Sequence, residues 1–81
     1  MSIDSRVAAI FATVLSEEVA GTITLDSSKD TVPGWDSQTF VAIVVAIELE
    51  FDVVLSTLDA ARMHSVRSIC EVLGEKGVLL A

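Results

Sequence analysis

Apolar residues fall at steps of three and four over the first twenty positions: Ile3, Val7, Ile10, Phe11, Val14 and Val19, with Arg6, Thr13, Ser16 and Glu17 between them. That spacing matches an α-helix with one buried face and predicts a helix from Ile3 to Ala20. Gly21 follows, where a left-handed cap is easiest for glycine, and is expected to end it. From there to Trp35 no period holds apart from a brief alternation at Ile23-Thr24-Leu25. The stretch reads as a long ordered loop, pinned to the helices by Ile23, Leu25, Val32 and Trp35.

A second helix is expected to start at Asp36 or Ser37, both good N-cap types, and to run to about Phe51. Ile43, Val44, Ile47 and Phe51 form its core stripe, yet Phe40, Val41, Ala42, Val45 and Leu49 are apolar as well. A helix in so small a domain cannot be buried on every side, so part of this surface must face solvent or a partner. After a turn at 52–56, a short helix is predicted at Thr57 to Arg62, with Leu58 and Ala61 pointing inward. Ser65 then caps a last helix carrying Val66, Ile69, Cys70 and Leu73, which Gly74 is expected to end. The tail Gly77-Val78-Leu79-Leu80-Ala81 either folds back on the domain or frays. The pattern predicts one all-α domain over 1–81. It is a four-helix bundle of three major helices and one short helix, with a long loop between the first and second.

A chain of 81 residues buries roughly 60% of its unfolded surface. That is one core, without room for a deep catalytic pocket. The composition, 52% apolar but only 5% aromatic, makes that core aliphatic. Five Lys and Arg against twelve Asp and Glu leave a net charge of −7, which repels nucleic acid and anionic membrane surfaces. The longest apolar run, Phe40 to Ile47, is eight residues, against the roughly 18 to 20 needed for a membrane span. Residues 7–15 after Arg6 faintly resemble a secretory leader, but Asp4 offsets Arg6, and Glu17 and Glu18 sit where a small-residue cleavage site belongs. A single cysteine, Cys70, excludes an internal disulfide and a multi-cysteine metal site; a reducing, cytoplasmic setting agrees.

Catalytic constellations do not emerge. His64 has no His or Cys partner in a motif, the glycines are scattered, and Glu48, Glu50 and Asp52 read as solvated charges at a helix end. Cys70 reads as a buried structural thiol. No catalytic residue and no metal ligand is expected, and the chain is not expected to be an enzyme. Ser37 stands apart, because it follows Gly34-Trp35-Asp36 at the mouth of a helix. Unpaired N–H groups and the positive end of the helix dipole would favour a phosphate there. The plainer role is that Asp36 or Ser37 caps the helix.

The longer arrangement resembles the acyl carrier protein family over nearly the whole chain. The resemblance is carried by Trp35-Asp36-Ser37, the hydrophobic helix ending in Ala46-Ile47-Glu48-Leu49-Glu50-Phe51, the short helix after it and the Ser65-Val66 start of the last. It implies that Ser37 carries a 4′-phosphopantetheine arm and that Asp36 helps place a metal ion during its attachment. The arm would come from coenzyme A through a phosphopantetheinyl transferase. The chain would then be a phosphoprotein that holds acyl or aminoacyl cargo as a thioester, loaded by an acyl or aminoacyl ligase or an acyltransferase. Where the family motif usually has Leu, this chain has Gln38; Thr39, Ala42 and Leu49 occupy places that are usually acidic. Gln38, Ala42, Val45 and Leu49 fall on one helix face and are expected to meet partners through apolar contact. That departs from housekeeping fatty-acid synthesis and favours a specialised monomeric carrier in lipid or secondary metabolism. Phe40, Val41, Met63 and Ile69, with Val45 beside them, either line an acyl cleft or are ordinary core. A different reading is a small helical adaptor of the same fold, which binds a partner through the second helix without an arm.

Overall fold

The computed structural model describes residues 3–80. Its elements are α1 (Ser5–Val14), α2 (Glu17–Ala20), α3 (Ser37–Phe51), α4 (Thr57–Arg62) and α5 (Val66–Glu75). The fold is all-α; an isolated bridge between Ser28 and Ser65 is the single extended pairing among the described residues.

The expected first helix is two helices. Asp4 starts α1 by accepting the Arg6 and Val7 backbone N–H groups, and the helix buries Val7, Ile10 and Phe11. Leu15 leaves helical geometry at φ −104°, ψ −84°. Ser16 then caps α2 by accepting the Val19 N–H at 3.1 Å, with Glu17 and Glu18 in the dipole-favoured first turn. Gly21 closes α2 in right-handed geometry, φ −69°, so the left-handed cap expected there is not formed.

Three later helices open with capping boxes: Asp36 with Thr39, Ser56 with Asp59, and Ser65 with Ser68. α3 follows the expected span and ends on Asp52 in the left-handed conformation, φ 53°. Its core residues are Ile43 and Ile47; Val44 and Phe51 are only half-buried. The short helix matches its predicted range but not its predicted face. Leu58 is 79% exposed and Ala61 is exposed, whereas the following residue after the helix, Met63, is fully buried. α4 contains no buried residue and is tied to α5 by Arg62–Glu75 and Lys76–Asp59 ion pairs.

α5 buries Val66, Ile69, Val72 and Leu73 and runs through Gly74 to Glu75. The stop comes later, at Gly77 with φ 85°: its N–H reaches the Gly74 carbonyl and the Val78 N–H reaches that of Leu73. This is a Schellman closure, which needs a left-handed residue at Gly77 rather than at Gly74. The tail folds back. Val78 and Leu80 pack on the core, and the Arg6 guanidinium donates to the Leu79 carbonyl at 2.6 Å.

The long loop is ordered as expected, with Ile23, Val32 and Trp35 buried and Leu25 partly so. It also satisfies the exposed start of α5: Val66 N–H donates to Ser27 and Arg67 N–H to Leu25. Trp35 packs edge-to-face on Phe11, with ring centroids 5.2 Å apart, which joins the loop to α1. No helix among the described residues is long and apolar enough to cross a membrane.

Candidate functional site

The end of the loop, the first turn of α3 and the α4–α5 junction enclose an open groove of about 530 Å³. Trp35, Phe40 and Met63 supply its buried or half-buried apolar lining, with Ala60 and Ala61 from α4. Its exposed polar lining is Lys29, Asp30, Asp36, Ser37 and His64.

At the groove edge the two candidates for the N-cap separate into different roles. Asp36 is the cap: its Oδ1 accepts the Gln38 and Thr39 N–H groups, each at 3.0 Å, while the Thr39 hydroxyl accepts the Asp36 N–H at 2.8 Å. The Thr39 N–H foremost, with the Gln38 N–H and the Thr39 hydroxyl adding to it, holds the Asp36 carboxyl below its usual range, against an opposing effect of desolvation second only to the Thr39 N–H. Ser37 is the first helical residue, is exposed, and makes no hydrogen bond through its hydroxyl among the described residues. The set of helix N–H groups open to a phosphate there is narrower than the sequence alone suggests. Those of Gln38 and Thr39 are already satisfied by a carboxylate.

The partner-face residues Gln38, Ala42, Val45 and Leu49 are all exposed, Leu49 to 79%. Val41 is exposed beside them, at 61%. This removes Val41 and Val45 from the expected cleft. Ile69 also leaves it, being fully buried in the core and absent from the groove lining. Phe40 and Met63 do meet in the groove.

Lys29, Asp30 and His64 join the site without having been picked out for it by the sequence pattern. The Lys29 N–H donates to the His64 carbonyl at 3.2 Å, next to the Ser28–Ser65 bridge, so two segments far apart in the chain are fixed side by side. The acidic cluster has a structural part: the Glu48 carboxylate accepts the Leu55 N–H at 3.0 Å and secures the turn after α3. Cys70 is half-buried rather than fully buried; burial first, then the nearby Asp4 charge, pushes its thiol up, which makes it a poor nucleophile. No group of three or more His, Cys, Asp or Glu among the described residues is placed to hold a metal ion. Compared with known protein families and with curated proteins, the chain finds no match.

Proposed function

We propose that this protein is an acyl or aminoacyl carrier modified at Ser37. The observation that carries the reading is the division of labour at the start of α3. Asp36 caps the helix, which leaves the neighbouring Ser37 hydroxyl exposed and without a hydrogen bond beside an apolar-lined groove. The resemblance of Trp35-Asp36-Ser37 and Ala46–Phe51 to carrier proteins supplies the chemistry, and among the described residues no base is hydrogen-bonded to the Ser37 hydroxyl.

The residues present fit a phosphopantetheine arm. Ser37 offers an accessible oxygen for the phosphoester, and Asp36 presents a carboxylate kept ionised by its hydrogen bonds, the state needed to help place a metal ion held by the transferase. The arm supplies a terminal thiol that carries cargo as a thioester. The chain itself positions that cargo: Ser37 fixes the point of attachment, and tethering raises the local concentration at a partner's active site. The apolar α3 face of Val41, Val45 and Leu49 is the docking surface in this reading, with shape and hydrophobic contact selecting a specialised ligase or acyltransferase.

Coexpression with a broad-specificity transferase is expected to add the mass of one phosphopantetheine, and Ser37→Ala is expected to abolish the addition. An unmodified wild type across several transferases would overturn the proposal. The same exposed face supports the second reading, an adaptor without an arm. Partner binding that survives Ser37→Ala but is lost on Val45→Glu or Leu49→Lys would select it.

A further inference from the structure

We propose that Lys29 and His64 form a built-in anchor for the phosphate on Ser37. The inference rests on the carrier reading and deepens it by assigning residues that hold the arm's first group against the domain.

Three observations converge. Lys29 and His64 line the same groove as Ser37. Their backbones are joined by the Lys29 N–H to His64 carbonyl bond, with the Ser28–Ser65 bridge alongside, so the fold sets the two residues side by side. Arg6, Arg62, Arg67 and Lys76 each hold a carboxylate elsewhere; among the described residues, Lys29 alone of the five basic side chains makes no ion pair. A chain of net charge −7 thus keeps, among the described residues, its one basic side chain without an ion pair in the groove that holds the exposed serine.

The charge balance in the groove explains why such an anchor is required. The α3 N–H groups of Gln38 and Thr39 are taken by Asp36. A phosphodiester on Ser37 would face the carboxylates of Asp36 and Asp30, and only Lys29 and His64 in the groove lining can oppose them. A lysine ammonium and a donating imidazole both bind phosphate oxygens through charge-assisted hydrogen bonds. The anchor holds the base of the arm over Trp35, Phe40 and Met63 and lets only its distal part swing.

The test uses the arm-bearing protein, with attachment verified by intact mass. The ³¹P resonance of its phosphodiester should differ between the folded protein and the same protein in urea. Lys29→Gln and His64→Gln should each move the folded signal toward the unfolded position, and the double variant should bring it there. Asp30→Asn should move it the opposite way. In the wild type, attachment should shift the Lys29 and His64 side-chain signals and leave those of Lys76 in place. All three substituted residues are exposed, and unchanged thermal unfolding of the arm-free variants separates loss of the anchor from loss of fold. A ³¹P signal identical in wild type and double variant, with the arm attached, would overturn the anchor alone. Failure to attach the arm at all would overturn both the anchor and the carrier reading.

Discussion

α1 and α4 are fastened to the molecule by different forces. α1 buries Val7, Ile10 and Phe11, each contributing roughly 1.5–3 kcal/mol of apolar burial. α4 buries no residue and carries Leu58 into solvent; two ion pairs to α5 and a capping box hold it. Exposed ion pairs contribute little in water and weaken with salt. The contrast matters because α4 supplies Ala60 and Ala61 to the groove, whereas no residue of α1 lines it and Phe11 lies behind the Trp35 ring. With only Met63, at its C-cap, fully buried, α4 is expected to loosen before α1 does.

The largest test of this contrast is Phe11→Ala, which should lower global stability by about 3–5 kcal/mol in urea unfolding. A loss below about 1 kcal/mol would put α1 in the same class as α4. Ser56→Ala removes the oxygen that accepts the Asp59 N–H at 3.0 Å. It should cost about 1 kcal/mol, read as faster amide exchange within α4 with a smaller change in the urea midpoint.

Acid should act on the same helix. The Lys76 hydrogen bond first, and the Ser56 N–H next, lower the Asp59 carboxyl from 3.8 to about 2, and Arg62 lowers that of Glu75. Because the closed form holds these protons less tightly than the open form, the latch is complete above the ordinary carboxyl range and is lost as pH falls through about 2. Amide exchange in α4, corrected for intrinsic rates, should accelerate over that window before α1 responds. The smallest effect is expected of Arg62→Gln: faster α4 exchange at low salt, a difference that disappears at high salt, and an unchanged urea midpoint. A global transition shared by α1 and α4 in these experiments would dissolve the distinction.

The strongly periodic helices were readable because burial follows the apolar period. In α5 the period of Val66, Ile69 and Leu73 coincides with the buried face, and the α3 and α4 spans follow their cap residues. The break at Leu15 was hidden because Val14 and Val19 continue the period across it. Ser16 followed by Glu17-Glu18 was the available signal for a new start. Leu58 misled because six residues are too few for a period to reveal which face is covered. Gly74 and Gly77 both suit a helix end, and only the hydrogen bonds of the closing turn distinguish them. At the site, Asp36 and Ser37 were legible from cap chemistry. Lys29 and His64 were not, since the backbone bond that joins them links segments with no shared local pattern.

Trp35 adds an optical property to this arrangement. It is the single tryptophan in a chain without tyrosine, it is only 5% exposed, and it touches both the Phe11 ring and the groove beside Ser37. Its emission wavelength and quenching will register hydration on the groove side separately from global unfolding. An unlabelled solution of the protein therefore contains its own fluorescent gauge of water reaching the groove.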